Sequence, residues 1–228
     1  MFIPHNPHEK IKLHVLYTAT QMFLESGYTA ATMRGIAERS GIKYGSMRTY
    51  YATKEDILCD LVNFVIQGQF SFAEKLMEGK TDDKIMLYAA ETILQLHMAE
   101  SSEQLRELYL ACYSLPNSSD RIFHKITGKL ESTFKDHLPH WETKDFYERE
   151  LASAGIMRSF LSVPCDMYFT MDRKIRVFLE ATFLVYHVSD AKIEEVIEFV
   201  SQFDWPDIAR RVIQNMLDYL KEKSNDES

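Results

Sequence analysis

Between residues 41 and 54 the chain reads GIKYGSMRTYYATK, with three cations (Lys43, Arg48, Lys54), six hydroxyl-bearing side chains (Tyr44, Ser46, Thr49, Tyr50, Tyr51, Thr53) and no carboxylate. The whole chain carries a net charge of −8, so a window this clean of negative charge is a local exception. Ammonium, guanidinium and hydroxyl groups donate hydrogen bonds, and a cluster of them without acids suits a polyanion better than a proton-transfer reaction. Lys54 sharpens the point. It follows Thr53, a good helix cap, and so stands at the positive end of a helix dipole, where a cation is unfavourable by a few tenths of a kcal/mol unless an anion joins it. Gly45 lacks a side chain, which lets a partner approach the backbone closely.

Helical periodicity supplies the elements that would hold these groups. Ile11, Val15, Ala19, Met22 and Phe23 form one stripe on a helix over about 9–25 that Gly27 closes. Thr32 caps a short second helix with Met33, Ile36 and Ala37 on one face, and Gly41 ends it. A third helix over about 44–50 turns Met47 and Tyr51 inward, leaving Tyr44, Ser46, Arg48 and Thr49 on other faces. Thr53 caps a fourth helix with Ile57, Leu58, Leu61, Val62 and Val65 in its core stripe. Short helix, glycine turn, short helix is the spacing of a helix-turn-helix, whose second member can lie in a DNA major groove; two short helices around a glycine also occur in ordinary bundles.

The remaining 168 residues carry the acidity, with 28 Asp/Glu against 19 Lys/Arg, whereas residues 1–60 hold six and seven. This asymmetry places a division near residue 70, with a continuous helix across it because no Pro- or Gly-rich run lies there. Further helices are expected over 84–113, 119–137, 145–162, 172–188, 190–203 and 206–222, an all-α reading throughout. Hydrophobic residues at 46% exclude a disordered chain. The amino-terminal MFIPHNPHEK is broken by Pro4 and Pro7, no run is long enough to span a membrane, and a cytoplasmic protein is expected. Cys59, Cys112 and Cys165 are too far apart for a zinc or disulfide signature. His5/His8 and His137/His140 repeat a three-residue spacing without further ligands, so no metal and no cofactor is expected. No phosphate loop or nucleophile motif points to an enzyme.

The segment from about 11 to 58 resembles the DNA-binding domain of the tetracycline-repressor (TetR) family of bacterial transcriptional regulators. The resemblance is carried by Ala19 and Phe23 before Gly27, then Thr32, Ile36, Ala37, Gly41, Ile42, Gly45, Ser46, Met47, Tyr50, Tyr51, Lys54 and Glu55. It implies residues 1–70 as a helix-turn-helix domain and 71–228 as a helical domain that binds a small effector and dimerises. It further implies a homodimer on a pseudo-palindromic double-stranded operator, acting as a repressor that the effector releases. By the same resemblance Thr32, Lys43, Tyr44, Gly45, Arg48, Thr49, Tyr50 and Lys54 touch DNA. In two places the chain departs from the family pattern: Arg48 replaces a usual tyrosine, and Lys43 replaces a small hydroxyl residue that starts the recognition helix. The first alters base preference and the second removes a cap worth about 0.5–2 kcal/mol.

In the second part, the stretch from Ile175 to Val188 is apolar nearly all round, and Ile208, Val212 and Met216 repeat at four-residue steps on the last helix. Either ordinary packing within one chain or a subunit interface covers them; the resemblance favours a four-helix interface through Ile175, Phe178, Leu179, Ile208, Val212 and Met216. For a ligand cavity the candidates are His97, Tyr113 and Phe160, drawn from an aromatic and methionine supply that also describes any helical core. A second functional class is a thiol-based redox sensor using Cys112 or Cys165. A third is a helix bundle with no role on DNA.

Overall fold

The computed structural model of the chain describes residues 7–225. Among them every regular element is helical: α1 (Pro7–Ser26), α2 (Met33–Arg39), α3 (Tyr44–Met47), α4 (Lys54–Met77), α5 (Lys84–Glu100), α6 (Glu103–Ser114), α7 (Pro116–Phe134), α8 (Thr143–Ser162), α9 (Met171–Val185), α10 (Asp190–Val200) and α11 (Trp205–Asn225). Pro4 and His5 lie outside the described residues.

The boundaries follow local chemistry. Thr32 accepts a hydrogen bond from Gly35 N at 3.1 Å, and Thr53 forms a reciprocal capping box with Asp56. Pro116 opens α7, where its missing N–H costs nothing. The expected single helix over 84–113 is instead two: Ser102 is extended, and its hydroxyl accepts from Leu105 N at 3.1 Å, so it caps α6 and ends the continuity. The third helix is also shorter than expected. After Met47 the chain continues in tight turns, with Thr49 N bonded to Ser46 O and Tyr50 N to Met47 O.

Two apolar cores result. One joins α1 through α4 (Val15, Ala19, Phe23, Ile36, Met47, Tyr51, Ile57, Leu58, Leu61) and also takes Leu108 and Cys112 of α6, Ile122 of α7 and Leu220 of α11. The other surrounds α5, whose Tyr88, Ala89, Ala90, Ile93, Leu94 and Leu96 are buried on all sides by the later helices. The α4 helix runs through both, so burial of its apolar face ties the amino-terminal helices to the rest.

The six residues expected at a subunit interface turn inward. Phe178, Leu179, Ile208 and Val212 are no more than 3% exposed, and Ile175 and Met216 pack on the same core. The reason is ordinary amphipathicity: α11 gives Arg210, Arg211, Gln214, Asn215 and Asp218 to solvent and spends its apolar stripe inside the protomer. What α8 and α9 leave outside is different, namely Leu151, Val177 and Leu184 at 44%, 45% and 62% exposure.

Candidate nucleic-acid interface

Gly41, with φ +67°, turns the chain out of α2, and Ile42 N bonds back to Ala37 O at 3.0 Å. Met47 and Tyr51 then anchor the following segment: both are buried, and the Tyr51 hydroxyl donates to Asp60 Oδ2 at 3.0 Å beside the Lys12–Asp60 ion pair of 2.8 Å. With that side fixed inward, Lys43, Tyr44, Gly45, Ser46, Arg48 and Thr49 are all exposed, together with Thr32 and Arg34 of α2.

The cations of this region divide into two sets. Lys12 and Arg39 are ion-paired, to Asp60 and Glu25. Arg34, Lys43 and Arg48 have no ion pair among the described residues; Arg34 lies over the Tyr44 ring at 5.7 Å. Sequence reasoning missed Arg34, although the inward placement of Met33, Ile36 and Ala37 already put it on the outer face. Lys43 makes no side-chain cap at α3, as its replacement of a hydroxyl residue implies. The Thr49 hydroxyl donates to Ser46 O at 2.7 Å, and the Tyr50 ring packs on that of His8 at 4.5 Å. A Cβ built on Gly45 meets no protein atom within 4 Å, so the open space there faces outward.

Lys54 corrects the expectation built on it. Its ammonium donates to the carbonyls of Tyr28 (2.6 Å), Thr29 (3.3 Å) and Ala31 (2.8 Å) and lies 4.2 Å from the centre of the Tyr28 ring. Those partial negative charges meet all three N–H donors, so the cation is not waiting for an anion. Desolvation lowers its pKa, with Glu107 opposing. Lys54 thus braces the loop between α1 and α2.

The same loop is held from the later helices. Glu107 of α6 accepts from Thr29 N at 2.8 Å and approaches Gly27 where a Cβ would stand. Glu55 of α4 accepts from Asn117 N at 2.7 Å and Ser118 N at 3.3 Å, satisfying the free N–H groups that begin α7.

Behind this brace lie two adjoining cavities. The larger, ≈ 70 Å³, is bounded by α1, α4, α5, α6, α7 and α11, including Thr20, Leu24, Leu108, Cys112 and Met216. The smaller, ≈ 40 Å³, lies between α4, α5, α6, α7, α8 and α9. Tyr113 lines both. His97 and Phe160 line neither: the His97 ring stacks on Trp205 at 6.4 Å, where burial pushes its pKa down to about 4, and Phe160 packs on Phe169 and Phe178. Burial raises the Cys112 thiol to about 12, and desolvation also raises Cys59 and Cys165, so all three are held as thiols.

Comparison with known proteins agrees with this geometry. Residues 15–61 match the family model of bacterial regulatory proteins, tetR family. The chain is 29% identical over 110 residues to the HTH-type transcriptional regulator PksA of Bacillus subtilis (strain 168); the match takes in 44% of this chain and spans about half, 48%, of that relative. Its fold is similar to that of SmeT, the repressor of the Stenotrophomonas maltophilia multidrug efflux pump SmeDEF, with a TM-score of 0.54 at 18% identity over 82% of this chain and 92% of that one. None of the described helices is long and apolar enough to cross a membrane. The helix-turn-helix segment, residues 15–61, thus carries the pattern of the tetR family of bacterial regulatory proteins.

Proposed function

We propose that the protein is a DNA-binding transcriptional regulator, a repressor that a small molecule releases from its operator. The observation that carries this reading is the set of exposed cations Arg34, Lys43 and Arg48, without an ion pair among the described residues, around a segment of hydroxyl groups and an open glycine. Arg48, Tyr44 and Thr49 read base edges; Lys43, Arg34 and the hydroxyls of Thr32 and Tyr50 meet phosphates. Lys54 contributes by fixing the loop between α1 and α2. Such a protein works in the cytoplasm, where bacterial DNA is.

Two protomers are needed to address two successive major grooves, ~34 Å apart or a multiple. The face suited to joining them is the outer side of α8 and α9, where Leu151, Val177 and Leu184 are exposed apolar groups. In this division residues 1–70 bind DNA and 71–228 bind the effector and the second subunit.

Coupling has a physical route. The larger cavity is walled partly by Thr20 and Leu24 of α1 and by one face of α6, while Glu107 on α6 holds the α1–α2 loop. A ligand that displaces α6 therefore moves the loop on which Lys54 and α2 rest, and shifts the population toward a spacing that does not fit the operator. Fluorescence anisotropy with duplexes selected from a random library tests the reading. A selected site bound at least 10³-fold more tightly than random duplex is expected; equal binding of all duplexes would remove the regulator assignment.

A further inference from the structure

Two acids sit inside the helical core. Glu91 on α5 and Glu150 on α8 are each 3% exposed, and both line the smaller cavity. A carboxylate that deep ordinarily finds a cation or takes up a proton. Lys129 on α7 stands 2.8 Å from Glu91 Oε1, but it is shared with Glu74, 3.1 Å away, and neither Glu91 oxygen accepts a well-directed hydrogen bond. Glu150 has no ion-pair partner among the described residues. Its support is the Ser153 hydroxyl, which donates to Oε2 at 2.8 Å and accepts from the Tyr186 hydroxyl.

The surroundings favour positive charge. Rings of Phe70, Tyr88, Tyr113 and Phe178 line the same space, and Lys129 already lies 4.8 Å from the Phe70 ring centre. Gln69, Gln95 and Tyr113 line this cavity and its larger neighbour alike, so they form the seam between an acidic aromatic lobe and an almost wholly apolar one. Met98 and Met216 in the apolar lobe are flexible side chains that reshape readily around a guest.

We propose that the joined cavities bind a lipophilic cation, an amine or quaternary ammonium with an apolar body: the charge rests between Glu91 and Glu150 against the aromatic walls, and the apolar body crosses the seam into the larger lobe. This names the chemical class of the effector and rests on the effector reading above for its biological meaning. In the protein alone, burial pushes Glu91 up to about 7 and Glu150 up to about 8. Facing Glu150 are Tyr88, Tyr113 and Tyr186, all raised and neutral, with Glu91 and Lys129 as the charged groups of the lobe. A bound cation replaces the proton on Glu150, so affinity rises with pH up to about 8.

The test is calorimetric titration of the full-length protein with phenylalkyl-trimethylammonium ions of graded chain length, the matching phenylalkyl alcohols and the matching carboxylates. The ammonium ions should bind on the order of tenfold or more tightly than the alcohols, more tightly at pH 8 than at pH 6, and the carboxylates weakest. Glu150→Gln, which keeps the Ser153 hydrogen bond, should erase the ammonium preference while leaving alcohol binding; Glu91→Gln serves as a second variant should the first fail to fold. Ammonium ions binding no better than alcohols, or a preference that survives both substitutions, would overturn the cation assignment and leave an apolar effector standing. Failure of every ammonium ion to bind would overturn it as well. A different result, ammonium binding that leaves operator affinity unchanged, would sink the effector reading and keep this site.

Discussion

Gly45→Ala separates what α3 needs for folding from what it needs for DNA. An added Cβ at Gly45 meets nothing within 4 Å inside the protein, and the residue lies within a helix, where alanine is favoured over glycine by about 0.5–1 kcal/mol. The variant should therefore be slightly more stable, and for a chain of this size that raises the melting temperature by about 1–4 °C. A duplex pressed against that backbone would meet the new methyl group. Crowding a packed contact by one methyl costs about 1–3 kcal/mol, or roughly 5- to 150-fold in Kd. Circular dichroism gives the first quantity and anisotropy with a selected operator the second. Gly128→Ala on α7 is the control, since its Cβ also meets nothing: it should gain stability and leave Kd alone. If Gly45→Ala is stabilised and binds operator as tightly as wild type, the interface does not include this backbone and the assignment of α3 fails.

Other outcomes follow from the same contacts. Lys54→Met should destabilise the fold by about 1–3 kcal/mol through three unmet carbonyls, read as a lower melting temperature, while the salt slope of DNA binding changes little. Arg48→Ala should relax sequence preference at one base position by about 1–3 kcal/mol in a selection experiment, where Lys43→Ala should weaken all duplexes alike. Stability should fall as pH rises through about 7 and 8, because Glu91 and Glu150 have folded pKa values raised above 4.5 and their protonated forms favour the folded state; Glu150→Gln should flatten that decline in urea melts. His97 works in the opposite direction: its pKa is depressed to about 4, so its contribution is present above pH 6.5 and lost as pH falls.

The amino-terminal helices were legible because their signals are local. Thr32 and Thr53 cap what they promise to cap, Gly27 and Gly41 take positive φ at helix ends, and Met47 and Tyr51 fall on one side by helical spacing. Lys54 was misread because its partners, Tyr28, Thr29 and Ala31, are 23 to 26 residues earlier and only the tertiary fold brings them to it. An apolar stripe states that a helix is covered and not by what; hence Ile208 and Val212 turned from subunit contacts into core. Glu91 and Glu150 resemble solvated acids in sequence, and their burial became visible only once α5 was enclosed by its neighbours.

The most direct test of the DNA-binding face is the salt dependence of operator affinity for the wild type and for an Arg34→Ala, Lys43→Ala, Arg48→Ala triple variant. With those cations exposed and without ion pairs among the described residues, the slope of log K against log salt should shrink by up to about one unit for each phosphate contact removed. A triple variant that folds normally and keeps the wild-type slope and affinity would contradict the account.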